Sequence, residues 1–169
     1  MSADAPQQPH VLYLALGTNL GDKHANLLQA LTLIGQCVGQ VVRVSTFLST
    51  EPWGFSSPHT FLNAACCVLT PLTPLECLER TQHIEQQMGR TAKSVHGQYA
   101  DRIIDIDLLL YDSLSLSTPR LTLPHPLMMQ REFVTIPLSE VMPAEQFALL
   151  QAQASHAAHP DENLNPINR

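Results

Sequence analysis

The chain has 169 residues, 44% of them apolar and only 14% charged, with a formal net charge of −6. That length allows one domain with a real hydrophobic core, and the acidic balance argues against a protein that coats nucleic acid, whose phosphates favour basic surfaces. It leaves room for a small anion held by a few local arginines.

No apolar run approaches the roughly 20 residues that span a bilayer. MSADAPQQPH lacks the basic and apolar regions of a signal peptide, so none is expected. Residues 1–10 read as a flexible leader. "VLYLALG" (11–17) is a short apolar run ending in glycine and predicts a buried strand. "TNLGDKHANLLQALTLIG" predicts a turn and then a helix, with Leu27, Leu28, Leu31 and Ile34 at helical spacing and Gly35 or Gly39 as its stop. "VVRVSTFLST" (41–50) is β-branched and predicts a second strand. "EPWGFSSPHT" (51–60) reads as a loop, and "FLNAACCVLT" (61–70) as a third strand.

Adjacent Cys66 and Cys67 would point to opposite faces of that third strand. With Cys37 and Cys77 they show no metal-ligand spacing and read as buried free thiols of a reducing compartment. "TPLECLERTQHIEQQMGR" (73–90) predicts an amphipathic helix capped by Thr73, with Pro74 in its first turn, Glu76 in a capping box and Gly89 at its end. Leu75, Leu78, Ile84 and Met88 would form much of its apolar stripe. Residues 91–100 read as an exposed loop and "RIIDIDLLLY" (102–111) as a fourth strand. Three prolines make 118–133 a turn, short strand and turn. Residues 134–143 should pack on the body. The tail, 144–169, should begin as a helix near Ala144 and end disordered. The order β-α-β-β-α-β fits an α+β, ferredoxin-like sandwich: an antiparallel sheet, two helices on one face, and the other face open to loops and a ligand.

Within the fourth strand, period-two alternation puts Asp105 and Asp107 on one face, about 7 Å apart along the chain. Ile104, Ile106 and Leu108 point the other way. Paired carboxylates repel unless a cation lies between them, and Mg²⁺ suits such oxygen ligands, with substrate phosphates completing its shell. An exposed strand with two solvated acids is the plain alternative. The cations are few: nine Lys and Arg, seven of them Arg. Arg90, Arg102, Arg120 and Arg131 cluster around this region, and guanidinium groups bind phosphates bidentately. Ordinary surface ion pairs are the alternative there. Neither a P-loop nor a Rossmann glycine pattern is present.

The motifs "ALGTNLGD" (15–22), "STEPWG" (49–54), "FLNAA" (61–65), "IEQQMGR" (84–90), "RIIDIDLLLYD" (102–112), "LTLPHP" (121–126) and "REFVTIPLSEV.P" (131–143) follow one another in order. The chain thereby resembles the 6-hydroxymethyl-7,8-dihydropterin pyrophosphokinases of folate biosynthesis over residues 11–143. The resemblance implies transfer of the diphosphoryl group of ATP to the pterin hydroxymethyl, with release of AMP. It implies two Mg²⁺ held by Asp105 and Asp107, and phosphate charge met by Arg90 and Arg102. Gln82, Lys93, Tyr99, Leu108, Arg120, Thr122, His125 and Arg131 would contact ATP. Thr50, Trp53, Phe61, Asn63 and Phe133 would form the pterin pocket, with Phe61 and Phe133 sandwiching the ring and Asn63 reading its edge. A cytoplasmic monomer acting on small molecules alone, with no nucleic acid or membrane partner, is the expectation that goes with it.

Departures from the family pattern fall in the 91–101 loop, which is about two residues longer. An arginine common two residues after Arg90 is Ala92 here, followed by Lys93. A common tryptophan is Tyr99, and the proline common ahead of Arg102 is Asp101. A catalytically silent binder of the same fold and a different two-metal enzyme such as a nuclease are the competing readings. The retained Asp105, Asp107 and Arg102 speak against the first, and the acidic charge against the second.

Overall fold

The computed structural model describes residues 7–52, 58–89 and 101–158. Strand β1 (His10–Thr18) leads into helix α1 (Lys23–Cys37), then strands β2 (Gln40–Val44), β3 (Leu48–Thr50) and β4 (Phe61–Thr70). Helix α2 (Pro74–Gln87) is followed by strand β5 (Asp105–Tyr111), a small hairpin of β6 (Leu116–Ser117) and β7 (Thr122–Leu123), a single 3-10 turn at Met128–Gln130, and helices α3 (Glu132–Val141) and α4 (Ala144–Ala158). The main sheet runs β2-β4-β1-β5, with β3 also on β4. All its described pairings are antiparallel. The chain is thus an α+β fold in which the two longest strands, β1 and β4, pair from His10↔Thr70 to Thr18↔Leu62.

Local chemistry accounts for the helix boundaries. Asp22 caps α1 by accepting from the Ala25 amide at 3.0 Å. Thr73 and Glu76 form the expected reciprocal box on α2, at 3.3 and 2.9 Å. Gly89 closes α2 with a left-handed φ of 99°. Helix α1 passes through Gly35 and stops at the Val38 cap. Gly39 is required for a different reason: a Cβ there would come within 2.2 Å of the Leu69 carbonyl oxygen.

One face of the sheet meets α1 and α2. Leu12, Leu14, Leu16, Cys66, Val68, Ile104, Ile106 and Leu108 join Leu27, Ala30, Ile34, Cys77, Leu78 and Ile84 in a single buried cluster. Cys67 belongs to the opposite cluster with Tyr13, Ala65, Leu138 and Val141, so the two adjacent thiols do face opposite ways. Burial pushes the Cys66 and Cys67 thiols above their ordinary range. Among the described residues no helix is long and apolar enough to cross a membrane.

Several expectations need correction. Residues 41–50 are two strands: the chain breaks at Ser45, whose hydroxyl accepts from the Ala65 amide and donates to the Thr46 carbonyl. Leu28 and Leu75 lie outside the cores, at 49% and 38% exposure, because α1 and α2 bury narrower stripes than their leucine content suggests. On α2, Thr81 and Glu85 take buried positions instead. The second sheet face is not helix-free. Most of the 134–143 segment lies in α3, whose Val134, Leu138 and Val141 cover the middle of that face. Strand β5 begins at Asp105, three residues later than expected.

Candidate active site

What α3 leaves uncovered is one end of the second face, and there the strands supply polar side chains. Register puts them in rows: Asp105 opposite Gly17 opposite Asn63, and Asp107 opposite Ala15 opposite Ala65. The central positions are small, so the sheet forms a floor on which a flat molecule can lie. A Cβ on Gly17 would meet the Asn63 Oδ1 at 3.2 Å and the Phe61 ring at 3.6 Å. The resulting cleft encloses about 570 Å³ of space, its open mouth included. Thr50, Phe61, Asn63, Arg102, Asp105, Asp107, Arg131 and Phe133 all line it. Eight side chains singled out in the sequence, from four separate elements and the segments beside them, therefore converge.

At one end sits Asn63, 4% exposed. Its Nδ2 donates to Thr50 Oγ1 at 2.7 Å and to the Leu48 carbonyl at 3.3 Å. That fixes the amide's orientation and turns Oδ1 toward Gly17 and the cleft as an acceptor. Phe61 and Phe133 flank the same space, each with a guanidinium over its ring. Arg102 Cζ lies 6.0 Å from the Phe61 centroid and Arg131 Cζ 5.7 Å from the Phe133 centroid.

At the other end, the Arg102 guanidinium meets Asp105 Oδ2 at 3.0 Å, with side chains 11% and 22% exposed. Asp105 and Asp107 share the cleft wall, as alternation requires. Their donor set is all carboxylate oxygen, partly exposed and adjoining two arginines. It fits a hard cation that keeps open positions for phosphate oxygens. Among the described residues no group of three or more His, Cys, Asp or Glu forms a closed metal cage. Arg131 is 6% exposed at the start of α3. Close by, His125 donates its backbone N–H to Leu109 O at 2.9 Å and accepts from the Leu127 N–H on Nδ1 at 3.2 Å. Burial first, and then the Arg131 charge, lower its pKa; Asp105 pulls the other way. The imidazole is therefore held toward its neutral form.

Not every expected residue lies on the cleft wall. Leu108 is 3% exposed within the helix-side cluster, so its side chain is core. Arg120 is exposed and pairs with Glu79 of α2 at 3.4 Å. Gln82 is half-buried on α2, and Thr122 is exposed on β7. Trp53, Arg90, Lys93 and Tyr99 lie outside the described residues. Conversely, Ala15, Gly17 and Glu51 line the cleft and had no assigned role. For Ala15 and Gly17 a signal was present: small residues two apart on a strand whose neighbours are large.

Comparison with known proteins points to one family. The family model described as 7,8-dihydro-6-hydroxymethylpterin-pyrophosphokinase (HPPK) matches residues 13–143. A 2-amino-4-hydroxy-6-hydroxymethyldihydropteridine pyrophosphokinase of Porphyromonas gingivalis is 50% identical over 134 residues, 79% of this chain and 91% of that protein. One from Bacillus subtilis is 39% identical over 133 residues, 78% of each. Among solved structures, an HPPK-DHPS in complex with substrates superposes with a TM-score of 0.65 at 14% identity, covering 91% of this chain and 45% of that one. The Plasmodium falciparum HPPK-DHPS wild type with SDX-DHP gives 0.65 at 14% identity, covering 95% and 47%. This chain spans just under half of each of those two structures, and at such identities they carry the fold alone. From the family match and the relatives at 50% and 39% identity, the chain belongs to the 7,8-dihydro-6-hydroxymethylpterin-pyrophosphokinase family.

Proposed function

We propose that this cleft carries out the family's reaction, with the pterin lying at the Asn63 end and the ATP phosphates at the Asp105–Asp107 end. The reaction is transfer of the pyrophosphoryl group of ATP to the hydroxymethyl of a 7,8-dihydropterin, in folate biosynthesis. The hydroxymethyl oxygen forms a bond to the β-phosphorus. The bond from that phosphorus to the oxygen it shares with the α-phosphorus breaks, and AMP leaves with that oxygen. The observation that carries the reading is the joining, in one cleft, of a fixed amide edge between two aromatic rings and a carboxylate pair beside Arg102.

In that arrangement Phe61 and Phe133 hold the flat ring by its faces, and Asn63 Oδ1 accepts from an N–H on its edge. Thr50 keeps the amide in place. The orientation they impose substitutes for the entropy a free encounter would lose. Arg102 and Arg131 meet the negative charge of the phosphates. Asp105 and Asp107 would hold two Mg²⁺, which when bound neutralise phosphate charge during the transfer. His125, neutral, offers a hydrogen bond rather than a charge on the nucleotide side. By resemblance Arg90 joins Arg102 in stabilising phosphate charge, Lys93, Tyr99, Gln82, Thr122 and Arg120 enter this reading as ATP contacts, Leu108 through its backbone, and Trp53 as a pterin contact. The strand order fits the ferredoxin-like arrangement, residues 11–143 serve as the catalytic domain and 144–169 as an extension. The enzyme works as a cytoplasmic monomer.

The test is one reaction: purified protein, 6-hydroxymethyl-7,8-dihydropterin, ATP and Mg²⁺, with identification of the nucleotide released. AMP that depends on both pterin and metal is the expected result. ADP would mean attack at the γ-phosphorus, and pterin binding without nucleotide release would mean a silent binder.

A further inference from the structure

Asn19 belongs to no substrate-contacting set above, yet it is a polar residue held at 2% exposure. Its surroundings explain the burial. Asn19 Oδ1 accepts from the Arg102 amide at 2.7 Å, and the Asn19 amide donates to the Arg102 carbonyl at 3.1 Å. Its Nδ2 donates to the Asp101 carboxylate at 2.7 Å. Three bonds thus tie one residue of the β1–α1 turn to a dipeptide more than eighty positions away. The turn is itself anchored: Asn26 of α1 donates from Nδ2 to Thr18 Oγ1 at 3.1 Å and to the Leu20 carbonyl at 2.8 Å. Downstream, the dipeptide ends in the Arg102 side chain, which reaches Asp105 at 3.0 Å.

We propose that Asn19 and Asp101 form a clasp that sets the backbone of Arg102, and so aims its guanidinium at the phosphate end of the cleft. Both are positioning residues: neither lines the cleft, and each acts through Arg102. Arg102 precedes β5 and lacks strand pairing of its own, since the ladder begins at Asp105. Without the clasp, the residue carrying the guanidinium has no ladder to define its φ and ψ. Asp101 stands where the family pattern has a proline. A proline restricts the backbone by its ring; here a side-chain hydrogen bond to a buried amide does so instead. The carboxylate's role needs only an acceptor at Oδ1, so asparagine should serve equally well.

This inference rests on Arg102 acting at the phosphates, and the experiment separates the two. Asp101 is exposed, so its substitution should leave folding intact. Asp101→Ala is expected to lower kcat/KM by about threefold to tenfold, the weight of one hydrogen bond, with the loss in kcat and the KM for ATP and none in the KM for pterin. Its thermal midpoint should fall by only about 2–4 °C, the stability weight of that one bond, and Asp101→Asn should restore the parent's constants. The exchanged pair N19D/D101N reverses donor and acceptor, and should recover activity that N19D alone loses by placing two carboxylates together. Asp101→Ala equal to the parent, or Asp101→Asn as impaired as Asp101→Ala, would overturn the clasp. Arg102→Ala tests the underlying reading: full activity there would remove the role of Arg102 itself. An inactive Arg102→Ala beside an unimpaired Asp101→Ala would remove the clasp alone.

Discussion

The two faces of the central sheet carry the same strands to opposite ends. On the α1–α2 face, β5 contributes Ile106 and Leu108 to a closed apolar cluster. On the other, the alternate residues Asp105 and Asp107 line a cleft. The difference lies in what covers each face. Two long helices seal the first, whereas α3 spans only part of the second and leaves the ends of β1, β4 and β5 open. A bulge marks the boundary. The β1–β5 register shifts between Tyr13 and Leu14, and Leu109 and Leu110 both fall in the α3-side cluster. Leu109 continues the parity of Asp105 and Asp107, so the stripe turns apolar by residue identity, while the extra residue brings Leu110 to the same face and sends Tyr111 into the α1–α2 cluster. A sheet can hold a site and a core back to back because successive side chains belong to different environments.

If the faces divide labour in this way, neighbouring substitutions should fail differently. Asp107→Ala should cost activity by about a hundredfold to a thousandfold, since charge compensation at phosphates is worth several kcal/mol, while the thermal midpoint stays close to that of the parent. Pterin-dependent AMP release measures it, and near-normal turnover would remove the carboxylate pair from the site. Ile106→Ala, one residue away and 2% exposed, should instead cost roughly 2–5 kcal/mol of stability. The fraction that remains folded should keep its KM values. Denaturant unfolding with parallel kinetics would expose any mixing of the two effects.

Within the cleft the comparison sharpens between its two ends. Asn63→Ala removes the acceptor and unties Thr50, and should weaken pterin binding by at least about tenfold, with ATP binding nearly unchanged. Equal losses for both ligands, measured by calorimetry, would mean that the pterin end is misassigned. The smallest effect concerns His125. Burial, and secondarily Arg131, lower its pKa in the folded protein, so the unfolded chain binds the proton more readily. Its contribution to stability is complete above about pH 6.5, the ordinary value, and declines as pH falls from there through the folded value. The thermal midpoint of His125→Gln should therefore fall less steeply below that pH than the parent's. Parallel curves would argue that another group dominates.

How much of the site was legible depends on how local each feature is. The facing of Asp105 and Asp107, the split of Cys66 from Cys67 and the Thr73–Glu76 box follow from neighbours within a few positions. The burial of Arg131, the floor made by Ala15 and Gly17 and the grip of Asn19 on Arg102 depend on partners far along the chain. Leu28 and Leu75 show the same limit within helices. Helical spacing identifies an apolar stripe, but the width that is buried depends on how closely the partner sheet approaches.

From the sequence alone came the main β-α-β-β-α-β order, the carboxylate pair, the amide and aromatics proposed to hold the pterin, and the family those motifs compose. Backbone geometry is enough for the elements and the carboxylate pair, because a strand alternates every residue and a capping box closes within four; the pocket residues and the family came from the resemblance of the motifs. Tertiary structure alone decided that α3 would roof the second face only in part, that the β5 bulge would bring Leu110 to that face and Tyr111 to the other, and that a buried asparagine would hold the backbone of Arg102. Those outcomes arise from register and packing between segments brought together by folding, and no local period in the chain encodes them.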